Sequence, residues 1–206
     1  MKKTAPTPPI HLYQALMTNI RARYEVIYGL KLNGDAGFAA LETAAFHLRK
    51  SIEGTAFGCL VALDQAFKEV PRDARGQWNA DNIFIRLKKR ERLVFPTAFK
   101  REDPPSGGYP VVKHHIVPNP DVNLTIDEVR EIYRRSHKWV HEWNPYIERL
   151  GKDFEKSKAE LLIDLDRHWN WIFQHMIGIG GHTFLGLLKD PSDNQVRIVS
   201  MESMTS

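Results

Sequence analysis

The chain has 206 residues, of which 42% are hydrophobic and 26% charged, and its formal net charge is +4. This composition is ordinary for a soluble globular protein, and the mild positive charge permits an acidic partner such as nucleic acid without requiring one. The single cysteine, Cys59, excludes an internal disulfide and favours a reducing compartment. We find no secretory signal and no apolar window long enough to cross a bilayer, so we expect a cytoplasmic protein without a membrane partner.

The predicted elements begin after a flexible arm at residues 1–9, which contains three prolines and two lysines. A helical pattern starts at Ile10, and the turn "NGDAG" at residues 33–37 ends it, with Asp35 as a candidate N-cap. We predict a second helix over about 36–70 and a third over about 79–91, capped by Asn79.

Residues 93–123 contain six prolines, at 96, 104, 105, 110, 118 and 120, so we predict a long proline-rich loop there. Such a loop is either a functional flap or partly mobile, and "YPVVKHHIVP" has room for one short strand. A fourth helix starts at the capping-box pair Thr125 and Glu128 and ends at Asn144-Pro145. A fifth helix is predicted over about 152–177.

The C-terminal segment "TFLGLLKDPSDNQVRIVSM" has two apolar runs around "DPSDN", a pattern typical of a β-hairpin. These elements predict one mainly α domain, a helical bundle over residues 10–180 with the hairpin, residues 181–206, as an extension.

A stripe of small side chains follows one face of the second helix: Ser51, Gly54, Thr55, Gly58 and Ala62. Glycine disfavours a helix interior by about 1 kcal/mol relative to alanine, so two glycines need a reason. The stripe allows another helix to approach closely. That helix belongs either to the same chain or to the second subunit of a homodimer.

The fourth helix carries the most distinctive segment, "RRSHKWVHEWNPY". At about 100° per residue, four basic side chains fall within roughly 60° of one another, while the apolar side chains lie elsewhere. Arg135 lies away from this stripe, so Arg134 is the arginine that the helix places beside His141. The members of the stripe are Arg130, Arg134, His137 and His141.

Three interpretations of the basic stripe are open. It is a solvated helix face, a metal site at His137 and His141, or a site for a phosphate. The metal interpretation lacks an H-E-x-x-H motif and a nearby cysteine. The phosphate interpretation suits the residue types, because arginine binds phosphate bidentately and histidine transfers protons near neutral pH.

The histidine pair His114-His115 is expected to be exposed in the proline-rich loop. On the fifth helix, His168, Trp171 and His175 share a face, for which an aromatic-rich core is the default interpretation; stacking of a base on Trp169 or Trp171 is the alternative.

Three segments, "FHLRKSIEGTAFGCLVALDQAF", Trp78 and "IYRRSHKWVHEWNPY", resemble uncharacterised bacterial proteins with a HEPN-like helical bundle, which implies an up-and-down arrangement of the helices. The resemblance covers roughly residues 38–150. It implies an arginine and a histidine four to six residues apart on a late helix, and both Arg135–His141 and Arg134–His141 fit. It also implies a homodimer in which both copies of the motif meet, with an antitoxin or another protein as a further partner.

The resemblance implies two functions of different kinds. The first is a metal-independent endoribonuclease of a toxin or defence system, with His141 as general acid or base and Arg134 or Arg135 stabilising charge on the phosphate. The second is a non-catalytic dimeric binding module for RNA, a nucleotide or a protein. No cofactor is expected, because nothing resembles a phosphate-binding loop or a dinucleotide fingerprint.

Several further residues are predicted to support this site. If the second helix meets the fourth, one of its carboxylates would hold Arg134 or His141 in position. Intrahelical ion pairs are the alternative role. The supporting residues are Arg130, His137 and Asn144 on the fourth helix, and Glu42, Arg49 and Glu53 on the second.

Overall fold

The computed structural model describes residues 8–32, 36–67, 79–88, 94–103, 115–140 and 154–201. Helices account for 63% and strands for 18% of this part. Its α-helices are α1 (Pro9–Gly29), α2 (Phe38–Phe67), α3 (Ala80–Leu87), α4 (Ile126–Val140) and α5 (Phe154–Phe173). Its strands are β1 (Thr97–Glu102), β2 (His115–Pro118), β3 (Gln174–Ile179), β4 (His182–Leu187) and β5 (Arg197–Ser200).

The five strands form one antiparallel sheet in the order β2-β1-β3-β4-β5. Strand β3 is its centre: Met176 faces Thr97 of β1 on one side and Leu185 of β4 on the other. The prediction of a mainly α bundle with an appended hairpin is therefore wrong, and the fold is α+β. The predicted hairpin is present as β4 and β5, but it extends a larger sheet.

Strand β3 was predicted as the last turn of the fifth helix, and this is the source of the error. Helix α5 ends at Phe173 and β3 starts at Gln174, so no loop marks the change. Burial then alternates along the strand, with His175, Ile177 and Ile179 inside. This period of two is the β pattern, but its short apolar run also fits a buried helix end.

The proline-rich segment contains two strands. The one short strand for which "YPVVKHHIVP" has room is present as β2, whereas β1 was predicted as loop. Strands β1 and β2 pair from Phe99 opposite Pro118 to Glu102 opposite His115. Pro118 is compatible with this position because β2 lies at the edge of the sheet, where a strand tolerates a missing backbone donor. The segment therefore supplies an edge of the sheet, and residues 104–114 lie outside the described part.

The small-residue stripe of α2 packs against α1 of the same chain. A Cβ atom at Gly58 would lie 2.8 Å from Cε2 of Tyr13, and one at Gly54 would lie 3.2 Å from Cγ1 of Ile20. The intramolecular interpretation of the stripe is thus confirmed. The predicted homodimer is untested, and it loses this stripe as a supporting argument.

Helix α1 is also joined to the C-terminal part of the chain by buried polar contacts. The Tyr13 hydroxyl donates to Nε2 of His175 at 2.6 Å, since Nδ1 of that histidine donates to the Ile172 carbonyl at 2.8 Å. The Tyr24 hydroxyl lies 2.9 Å from Nδ1 of His168. These contacts fix α1 over the junction of α5 and β3. No described helix has the length and apolar character needed to span a membrane.

Candidate functional site

Helix α4 begins at the predicted capping box. The Glu128 carboxylate accepts hydrogen bonds from the backbone N and the hydroxyl of Thr125, both at 2.8 Å, and the Glu128 backbone N donates back to that hydroxyl at 3.3 Å. The helix turns its apolar side into the core, as the wheel predicted. The buried residues of α4 are Ile126, Val129, Ile132, Tyr133, Ser136 and Trp139.

Two arginines of the basic stripe meet on one carboxylate of α3. Arg130 donates from Nε to Oδ1 of Asp81 at 2.7 Å, and Arg134 donates from Nη2 to Oδ2 at 2.9 Å. Burial acts to raise the pKa of Asp81, but hydrogen bonds and charge from both arginines outweigh it and lower the pKa. The predicted grouping of Arg130 with Arg134 is confirmed. Their shared partner was missed, although an acidic residue in the first turn after the cap Asn79 was a readable signal.

The two arginines differ in exposure. The Arg130 side chain is 15% exposed and also reaches Asp127 at 3.1 Å, whereas the Arg134 side chain is 56% exposed. Lys88 pairs with the same Asp127. Three cations (Lys88, Arg130 and Arg134) therefore surround two carboxylates (Asp81 and Asp127), so this group, which we call the α3–α4 basic edge, carries one excess positive charge.

Arg135 lies on another side of α4, where it pairs with a carboxylate of α5. It donates from Nε and Nη2 to the two carboxylate oxygens of Asp164, at 2.8 and 2.6 Å. The Asp164 side chain is only 6% exposed. The hydrogen bond to Asp164 is the main cause of the raised pKa of Arg135. This forked pair joins two helices, as bidentate guanidinium–carboxylate geometry favours.

A pocket of about 10 Å³ lies beside this pair, which is room for roughly one water molecule. Lys138 and Glu160, 3.7 Å apart, belong to its lining together with Arg135 and Asp164. The pocket is too small for a nucleotide base, and each of its cations has a carboxylate within 4 Å. It is therefore no candidate site for a nucleotide.

Two of the three predicted second-helix residues, Arg49 and Glu53, form a polar cluster against Tyr133 of α4. Arg49 donates from Nη2 to the Tyr133 hydroxyl at 2.6 Å and lies 4.2 Å above its ring, and that hydroxyl donates to Glu53 at 3.3 Å. Glu53 also accepts from Lys50 at 2.6 Å. Burial, with a smaller contribution from Glu53, raises the pKa of Tyr133 to about 12.

This cluster corrects part of the predicted supporting set. Glu53 binds Arg49, Lys50 and Tyr133, and the described contacts do not join it to Arg134. Glu42 is exposed on α2, and no described contact takes it to α4. His137 lies edge-on to the Tyr133 ring, with centroids 5.5 Å apart. His141 and Asn144 lie outside the described residues, so the predicted pairing of an arginine with His141 is untested.

His168 of α5 and His175 are core residues, as the default interpretation has it, although His175 lies on β3 and not on the helix. His168, His175 and Trp171 have no exposed surface, so a base cannot stack on Trp171, whereas Trp169 is only partly buried. Within the described residues, no group of three His, Cys, Asp or Glu side chains could hold a metal ion.

The site thus contains an exposed guanidinium, that of Arg134, within the α3–α4 basic edge and its one excess positive charge. The neighbouring Arg135 is already paired with Asp164. Comparison of the chain with protein-family models, with curated proteins and with solved structures gives no match. Any function must accordingly be argued from these side chains.

Proposed function

We propose that the protein binds a phosphate group of RNA or of a nucleotide at the α3–α4 basic edge, with Arg134 as the principal contact. The observation that supports this is the sharing of Asp81 by Arg130 and Arg134. The two carboxylates, Asp81 and Asp127, cannot neutralise all three cations of this group. Arg134 is the more exposed of the two arginines, and it keeps donors free for a second anion. Arg130 then positions Asp81 and adds charge.

The same contacts favour Arg134 over Arg135 for any action on phosphate. Arg135 already donates from Nε and Nη2 to the buried carboxylate of Asp164. If the Arg135 side chain turned to a ligand, that carboxylate would stay buried without its partner. Metal-independent RNA cleavage, which the HEPN-like resemblance implies, would therefore use Arg134 with His141. We regard binding as the primary proposal, because it does not require His141.

The binding test is fluorescence polarisation of a labelled single-stranded RNA in EDTA, at low and rising salt. We expect Arg134→Ala to weaken binding about tenfold, the effect of one lost charge-assisted contact, and to reduce the salt slope by about one. Lys100→Ala is the matched control, since it removes one half-exposed cation from β1. Absence of RNA binding at low salt, or equal losses in the two variants, would reject the proposal.

Cleavage is assayed on the same samples by gel. The ribonuclease function is supported if the wild type cleaves RNA, if Arg134→Ala and His141→Ala both abolish cleavage, and if Arg135→Ala retains it. Binding without cleavage would leave the non-catalytic module.

A further inference from the structure

An aromatic surface lies between α1 and α5, and α4 takes no part in it. The Tyr28 residue is 56% exposed, and its ring stands at 87° to that of Trp169, with centroids 5.7 Å apart. Two perpendicular rings at this distance form a corner with one exposed wall. Tyr28 and Tyr24 are one turn apart on α1, so both rings meet Trp169 from the same helix face.

The corner is held in place before any ligand arrives. The Trp169 ring contacts Tyr24 at 4.6 Å and Phe173 at 5.1 Å between centroids. Tyr24 is itself buried, with its hydroxyl 3.1 Å from the Leu165 carbonyl and 2.9 Å from Nδ1 of His168. A ligand that binds here would therefore not have to order Trp169, which favours affinity.

An acidic side chain accompanies the corner. Asp166 precedes Trp169 by three positions on α5, so the two share a side of that helix. Its charge adds to burial in raising the pKa of Tyr28 to about 12, and it also acts on Tyr24. Asp166 is exposed, and in the described part of the chain none of the ion pairs includes it. Its carboxylate is thus open to a ligand.

These features select the charge of the ligand. The face of an aromatic ring attracts cations, most strongly for tryptophan. The exposed carboxylate of Asp166 adds to that attraction, and it repels phosphate. We propose that Tyr28, Trp169 and Asp166 form a binding site for an alkylated ammonium group, either on a small molecule or on a methylated lysine of a peptide.

This site is independent of the α3–α4 basic edge. Asp166 and Asp164 are two positions apart on α5, or about 200° around the helix, and Asp164 faces α4 through Arg135. A cation-binding site and a phosphate-binding site would thus occupy different sides of the molecule, and the failure of one proposal leaves the other standing.

The test uses choline and a trimethyllysine peptide as probes for the full chain. Methyl protons held over aromatic rings shift upfield, so proton NMR reports occupancy directly. Dimethylbutanol, in which carbon replaces the charged nitrogen of choline, is the neutral probe. We expect saturable upfield shifts for at least one cation and none for dimethylbutanol. Tighter binding of the peptide than of choline would indicate that the ammonium group belongs to a methylated lysine of a protein. Tighter binding of choline would indicate that it belongs to a small molecule.

Three variants test the residues. Tyr28→Ala should abolish the upfield shift, Tyr28→Phe should keep it because the ring remains, and Asp166→Asn should weaken binding about fivefold. Melting curves confirm that each variant is folded, and Tyr28→Phe serves as the control that keeps the packing. Equal binding of the neutral probe, no saturable shift for either cation, or full binding by Tyr28→Ala would overturn the proposal.

Discussion

Arg135 of α4 and Asp164 of α5 are joined by two parallel hydrogen bonds, and the carboxylate is almost fully removed from solvent. Removing the arginine would leave this carboxylate buried without a counter-charge. We expect Arg135→Ala to lower the free energy of unfolding by about 2 kcal/mol, measured by urea denaturation. The neighbouring Arg134→Ala should cost less than about 1 kcal/mol, because that side chain is half exposed. Equal losses in the two variants would contradict this assignment.

A second prediction concerns Gly186, whose backbone lies against the ring of the buried His175. A Cβ atom at Gly186 would overlap the ring of His175, which is fixed by Tyr13 and the Ile172 carbonyl. We expect Gly186→Ala to destabilise the fold by about 1–3 kcal/mol, the usual range for overpacking. Gly29→Ala is the control, since nothing lies near the added atom, and its melting temperature should equal or exceed that of the wild type. A Gly186→Ala variant as stable as the wild type would show that the ring can move.

A third prediction follows from the two buried histidines. Burial lowers the pKa of His168 from 6.5 to about 3 and that of His175 to about 4. Below about pH 6.5 the unfolded chain therefore takes up protons that the folded chain does not, so stability is full above that pH and declines as pH falls towards 4. The expected slope is at most about 1.4 kcal/mol per pH unit for each histidine.

Urea titrations between pH 4.5 and 7 would measure this slope. His168→Gln should reduce it by about half, because one of the two groups no longer titrates. A stability that is constant over this range in the wild type would refute the idea that both histidines stay neutral in the fold.

The capping box supplies a fourth prediction. Thr125→Ala removes the hydroxyl that accepts from the Glu128 backbone N, so α4 should lose about 1 kcal/mol of stability. Thr125→Ser keeps a hydroxyl in that place and should retain most of it. Circular dichroism during thermal unfolding measures both, and a Thr125→Ala variant that melts with the wild type would show that the backbone bond to Glu128 suffices.

The sequence predicted the helices well, and it predicted the strands β1 and β3 and the tertiary partners poorly. The start of α4, its buried face and the common side of Arg130 and Arg134 follow from spacing alone, because helix geometry fixes them. The ion pairs of Arg134 with Asp81 and of Arg135 with Asp164 depend on how α3 and α5 pack against α4. No local sequence pattern encodes that packing. The sheet was missed for a similar reason: β1 meets β3 across more than seventy residues of chain, from Ala98 to His175.

The buried contacts of α1 set an order of events during synthesis. Tyr13 binds His175, and Gln14 donates to the Val196 carbonyl at 3.1 Å, so these polar partners of α1 lie 162 and 182 residues further along the chain. Closing so long a loop is slow and entropically costly. Until the ribosome releases the C-terminal strands, α1 must keep its apolar face covered by α2 alone. We therefore expect truncation of the chain before β3 to leave Tyr13 and Gln14 without these polar partners.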